Sequence, residues 1–184
     1  METSKQTVGL MNRMGRIFLS VDLQQRCWDF AKELRQHYLD IGQCTEFTVE
    51  SNIEALAFAK MAECTYCVYE ALPVSKLHWN PKEADLGWDV PVTGVGKVDV
   101  KWTRYGSRLV WPKPRNHVFH QRVFDVLVLV HGDDEIGFLP TGWLTKAEFW
   151  RKHRLAGPNY VDKLSEGTWF VPGNELEPMI DLHR

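Results

Sequence analysis

No apolar run in this chain approaches the roughly 18 residues that a membrane-spanning helix needs, so a bilayer span is not expected. The first residues mix Glu2, Lys5, Arg13 and Arg16 without an apolar h-region, which makes a cytoplasmic protein the expectation. There is no Gly-rich phosphate loop or dinucleotide fingerprint, and no nucleophile-elbow serine. Internal repeats, low-complexity tracts and dividing linkers are also missing, so the expectation is one domain over 1–184. Charge of one sign is lacking too: 22 basic against 24 acidic residues leave a net charge of -2, which by itself selects no partner.

Cysteine is sparse, and all four residues (Cys27, Cys44, Cys64 and Cys67) lie in the first 67 positions. Cys64-Thr-Tyr-Cys67 has C-x-x-C spacing, but there is no second such pair and no close His. The segment is strongly helical, with both thiols towards the apolar side, so buried reduced thiols are expected in preference to a zinc or redox site.

What is present is a well-stocked core: 44% hydrophobic residues, with eight Trp and nine Phe, which argues against disorder. Residues 1–18 have no clear period and read as a loose arm. From Val21 to Leu39 the positions Leu23, Cys27, Phe30, Ala31, Leu34 and Tyr38 follow helical spacing. A second helix is expected after Ser51 or Asn52, either of which can cap it, ending before Pro73. After Pro81 the texture turns to short β-like runs, with a hairpin turn at Gly94 to Gly96 and strands over Val98–Thr103 and Ser107–Trp111. Val123–Val130 is almost continuous in apolar β-formers, as in a central strand covered on both faces. Thr145-Lys-Ala-Glu148 is a capping box opening a short helix through His153, and Thr168–Val171 forms a last strand. This order predicts an α/β or α+β architecture with a mixed sheet.

Chemistry concentrates in one stretch. Asp89 is followed ten residues later by Asp99-Val100-Lys101, inside an alternating run. If that run is a strand, Asp99 and Lys101 share a face, because side chains alternate with period two. Two carboxylates and an ammonium converging on one point suit a hard divalent cation and a polarised water. Asp-x-Lys alone is as often a solvated ion pair. Downstream, Thr103 to Arg122 holds no acid but carries Arg104, Arg108, Lys113, Arg115 and Arg122 among Tyr105, Trp111, His117 and His120, with Trp102 just before it. A basic segment interleaved with aromatics fits phosphate contact and base stacking; a Lys/Arg-rich edge that discourages strand pairing fits equally.

Gly87-Trp-Asp89-Val followed by Lys97-Val-Asp99-Val-Lys101-Trp-Thr103 resembles the active-site hairpin of the PD-(D/E)xK nuclease superfamily. The helix Ser51-Asn-Ile-Glu54-Ala-Leu-Ala-Phe-Ala-Lys60 resembles the one preceding that hairpin, which commonly donates a further Glu. The pieces Asp125-Val-Leu-Val-Leu-Val, Gly142-Trp143-Leu144 and Trp169-Phe-Val-Pro172 resemble small phage-encoded members. The likeness covers about residues 50–180. It departs in lacking a Pro before Asp89 and in having Asp as the second acid. It implies a restriction-endonuclease-like core, a helix leading into a three-stranded meander and then a helix and a further strand, with a mixed central sheet flanked by helices, and, if phage-encoded, residence in the host cytoplasm.

The same resemblance implies hydrolysis of DNA phosphodiesters with Mg²⁺, for which Mn²⁺ can substitute. Asp89, Asp99 and Glu54 would be the metal ligands and Lys101 the residue that orients water or stabilises charge. Arg104, Arg108, Lys113 and Arg115 would hold the DNA backbone. Two choices stay open. Asp85 could replace Asp89, although Asp89 begins a β-like stretch and Asp85 lies among turn residues. Glu63 could replace Glu54, because at about 100° per residue the two lie at opposite edges of the apolar stripe; family alignment favours Glu54. A homodimer is compatible with the sequence. The alternative is a catalytically inactive nuclease fold that binds DNA or protein, with Asp99–Lys101 a structural pair.

Overall fold

The computed structural model of the protein describes residues 9–42, 52–83, 87–104, 108–111, 119–157 and 167–183. The chain is of mixed α+β class and divides into two compact units, Met1–Ala84 with Gly132–Leu139, and Asp85–His131 with Pro140–Arg184.

In the first unit, β1 (Gly9–Met11) and β2 (Ile17–Leu19) pair antiparallel, with Leu10 opposite Phe18. The Asn12 side chain closes their turn by accepting the Met14 and Arg16 N–H groups. From residue 9 on, the expected loose arm is therefore a hairpin, over residues 9–19; its residues 1–8 lie outside the described residues. Three-residue strands are too short to leave a period, although Ile17 is fully buried. Helix α1 (Val21–Asp40) starts at Ser20, whose hydroxyl accepts the Leu23 N–H, and it buries Leu23, Cys27 and Ala31 at four-residue intervals. Helix α2 (Ile53–Tyr69) starts at Asn52, which accepts from Glu54 and Ala55, so Asn52 rather than Ser51 is the cap. Its C-terminus closes with Leu72 N–H on Cys67 O and Ala71 N–H on Val68 O, with Ala71 left-handed at φ 52°. The cysteines of both helices meet: Cys27 Sγ lies 3.8 Å from Cys64 Sγ, and both are buried with Cys67 as free thiols. Cys44 lies outside the described residues.

In the second unit, β3 (Val90–Val92) and β4 (Gly96–Thr103) form the expected hairpin, with Val90 opposite Val98. The strand after β4 in sequence, β5 (Arg108–Trp111), leaves this sheet. The neighbour of β4 is instead β6 (Val126–Asp133), which runs parallel to it from Val98↔Val126 to Thr103↔His131. β6 begins three residues later than the apolar run suggests. Val123 is 55% exposed, and Asp125 N–H is drawn onto Lys97 O at the start of β4. β7 (Gly137–Thr145) follows beside β6 and runs into α3 (Lys146–Lys152), where both halves of the Thr145–Glu148 capping box form. Strand order is β1-β2-β7 in the first unit and β7-β6-β4-β3 in the second. A separate three-stranded sheet sets β9 (Trp169–Pro172) between β5 and β8 (Arg154–Leu155). Leu109, Trp111, Phe119, Phe124, Leu127, Leu129, Leu144, Phe149 and Val171 form the core beneath these strands. Among the described residues no helix is long and apolar enough to cross a membrane.

Candidate active site

Strand β4 carries the site because its alternation places Asp99 and Lys101 on one face. Lys101 Nζ is 2.6 Å from Asp99 Oδ1. Only 7% of Asp99 is exposed, so its charge is held in a mostly dry setting and needs that partner. Lys101 also lies 5.0 Å from the centroid of the buried Trp111 ring, a cation–π contact that fixes the ammonium between carboxylate and ring. Asp89 precedes β3. Its N–H donates to Val98 O at 2.8 Å, and its Oδ2 accepts the Val100 N–H at 2.6 Å. Asp89 thus brackets Asp99, bonding the strand on both sides of it. The structure pairs Asp99 with Lys101 and ties Asp89 to the backbone on either side of Asp99.

The other expected site residues fall elsewhere. Glu54 is exposed in the first turn of α2, in the first unit. Glu63, the alternative acid, is half-buried in the same helix and paired with Lys60, which also donates to His78 O at 2.9 Å. Arg104 and Arg108 are half-buried in the second unit, with Arg108 lying 5.7 Å from the Phe170 ring centroid. Asp85, Lys113 and Arg115 lie outside the described residues, as does His117.

Among the described residues no group of three or more His, Cys, Asp or Glu side chains is arranged to hold a metal ion. Asp89 and Asp99 supply two hard carboxylates, and the Val100 carbonyl is a third oxygen on the same strand. That donor set fits Mg²⁺, which binds through one or two carboxylates and keeps several waters. It lacks the His and Cys donors that predominate in zinc sites.

A second feature of this unit was missed by the sequence reading. A cleft of about 420 Å³ is lined by Phe119, His120, Phe124, Asp125, Lys146 and Trp150, among others. Lys146 donates to the carbonyls of Arg122 (2.6 Å) and His120 (3.2 Å). Burial lowers its pKa, and the Asp125 carboxylate partly offsets this. The available signal was Lys146-x-x-x-Trp150, which puts a cation and a large ring on one helix face.

No protein-family model, curated protein or solved structure matches this chain.

Proposed function

We propose that the protein is a Mg²⁺-dependent deoxyribonuclease whose centre lies on the β3–β4 hairpin, within a restriction-endonuclease-like core. The observation that carries this reading is the Asp89–Asp99–Lys101 grouping. Two carboxylates flank Val100, and the lysine is held on the same strand face. Mg²⁺ bound there would supply a water of lowered pKa and neutralise charge on the phosphoryl oxygens. Asp89 and Asp99 would hold the ion. Lys101, poised between Asp99 and Trp111, would orient the attacking water or stabilise developing charge. Arg104 and Arg108 would contact the phosphate backbone, together with Lys113 and Arg115. The helix acid, Glu54 or Glu63, belongs to the first unit and adds no weight here.

The β3–β4 hairpin beside a parallel β6 supplies the mixed sheet that this reading needs, although β5 pairs with β9 in a separate sheet and the three-stranded meander does not form among the described residues. Cleavage of plasmid DNA with Mg²⁺ tests the function. Wild type should cut, while Asp99→Ala and Lys101→Ala should fall by about a hundredfold or more, the scale of losing a positioned electrostatic group. Equal cleavage by all three sinks it.

A second reading, an inactive nuclease fold used for binding, draws on one observation: Asp99 and Lys101 already satisfy each other at 2.6 Å. Mg²⁺ titration separates the two. An active centre is stabilised by the ion through Asp89 and Asp99; a purely structural pair leaves the melting temperature unchanged.

A further inference from the structure

The cleft beside the proposed centre has a mixed chemistry that points to a particular occupant. Trp150 is gripped by its neighbours, with His120 edge-on at 4.4 Å, His153 stacked at 4.8 Å and Trp169 edge-on at 5.3 Å. It nevertheless keeps 43% of its surface exposed. Such a ring is a rigid platform rather than a mobile surface side chain. One turn earlier on α3, Lys146 lies 5.0 Å from the Phe124 ring centroid and gives two of its three N–H groups to carbonyls. Asp125 adds a carboxylate acceptor, and His120 adds an imidazole.

The combination excludes several ligand classes. An apolar group would desolvate Lys146 and Asp125 without replacing their hydrogen bonds. A phosphate would meet Asp125. A flat heteroaromatic ring with donors and acceptors on its edge satisfies all of these groups, and a cleft of about 420 Å³ lies within the size range of small-ligand sites. The cleft also adjoins the proposed centre through one aromatic layer. Lys101 rests on Trp111, and Trp111 packs against Phe119 at 4.8 Å and Phe124 at 5.6 Å, both of which line the cleft.

We propose that this cleft receives an unstacked nucleobase of the DNA strand, which makes single-stranded or branched DNA the substrate class, not intact duplex. A base stacked and paired within a duplex cannot enter such a cleft unless it is first extruded. The substrate assignment rests on the nuclease reading; base binding by the cleft does not.

The test is fluorescence anisotropy in EDTA at low salt, using a short labelled single strand, the same strand with abasic sites, and the blunt duplex. Stacking on an aromatic is worth about 1–3 kcal/mol per base, so wild type should prefer the base-containing strand to the abasic one by about 5-fold to 150-fold. Trp150→Ala should erase that preference while leaving abasic binding unchanged, and Trp150→Phe should restore most of it. Because Trp150 also packs inward, Ala147→Met provides a second variant. It fills part of the cleft from an exposed helix position and should likewise lower the preference.

Equal binding of base-containing and abasic strands by wild type overturns the proposal, as does a preference untouched by both Trp150→Ala and Ala147→Met. Tighter binding of blunt duplex, or equally strong competition by a free mononucleotide, overturns it too. Base preference without Mg²⁺-dependent cleavage supports the cleft's assignment and removes only the nuclease. Cleavage without base preference removes only the cleft.

Discussion

Asp99 and Lys101 meet at 2.6 Å across one face of β4, with 10% and 19% of their side chains exposed. Removing one member of a largely buried pair leaves a charge without compensation, which is worse than removing both. Lys101→Met should therefore destabilise the protein by about 2–3 kcal/mol. Adding Asp99→Asn in that background should recover about 1 kcal/mol or more. Urea denaturation of the single and double variants measures this. A loss below about 0.5 kcal/mol, the scale of exposed pairs, would mean water already screens the site.

Ala71 ends α2 in the left-handed region at φ 52°, where a Cβ crowds the following carbonyl. The Schellman bonds of Leu72 and Ala71 hold it there, and glycine suits that position without strain. Ala71 is exposed, so no packing is lost on replacing it. Ala71→Gly should raise stability by about 0.5–1 kcal/mol despite the greater freedom of glycine in the unfolded chain. Thermal unfolding checks the sign; a lower melting temperature would contradict the strain at this turn.

The Asn52 cap and the Thr145–Glu148 capping box were legible because a cap is a local bargain between one side chain and the next three N–H groups; the same bargain at Ser20 was overlooked. Asp99 and Lys101 were legible for a similar reason: period two needs no partner strand. The β1–β2 hairpin was not, since its three-residue strands make sense only against their pairing. Nor was the start of β6. Val123 and Phe124 are good β-formers, but the chain enters the ladder only after Asp125 has turned onto β4. That turn depends on Gly96, whose φ is 111° and where an added Cβ would come 2.5 Å from Asp125 Oδ2. At the site, the contact between Asp89 and Val100 depends on hairpin register. The aromatic cleft depends on Phe119, Trp150 and Trp169 meeting from three separate elements. Spacing along the chain carries no sign of the first and only the Lys146–Trp150 part of the second.

The thiols of α1 and α2 give a further prediction. Cys27, Cys64 and Cys67 are fully buried. Burial raises the Cys64 pKa, and the contact with Cys27 raises it further. Attack on a reagent requires an accessible thiolate, so these three should be inert. Titration with an aromatic disulfide reagent should detect no more than one thiol per chain before unfolding and four in denaturant. Rapid reaction of two or more thiols in the native protein would mean that the helix pair opens.

The capping box at Thr145 makes an acid-dependent contribution. Glu148 Oε2 accepts from the Thr145 hydroxyl at 2.8 Å and the Thr145 N–H at 3.1 Å. Burial alone would raise the Glu148 pKa. The two Thr145 bonds, with Lys152 and Arg151 nearby, outweigh that and hold it below the ordinary 4.5. A carboxyl depressed in the folded state stabilises above its unfolded pKa, and the gain disappears as pH falls through the folded value. Glu148→Gln should therefore cost up to about 1 kcal/mol at pH 7, the usual size of a cap. The gap to wild type should start to close near pH 4.5, where the unfolded carboxyl takes up its proton, and should vanish once the native carboxyl is protonated at lower pH. Thr145→Ala should lose a similar amount at neutral pH by removing the hydroxyl that also accepts the Glu148 N–H. Denaturant midpoints for the three proteins between pH 3 and 7 settle the matter. A Glu148→Gln deficit that stays constant down to pH 3 would assign its effect to lost packing and not to the charged cap.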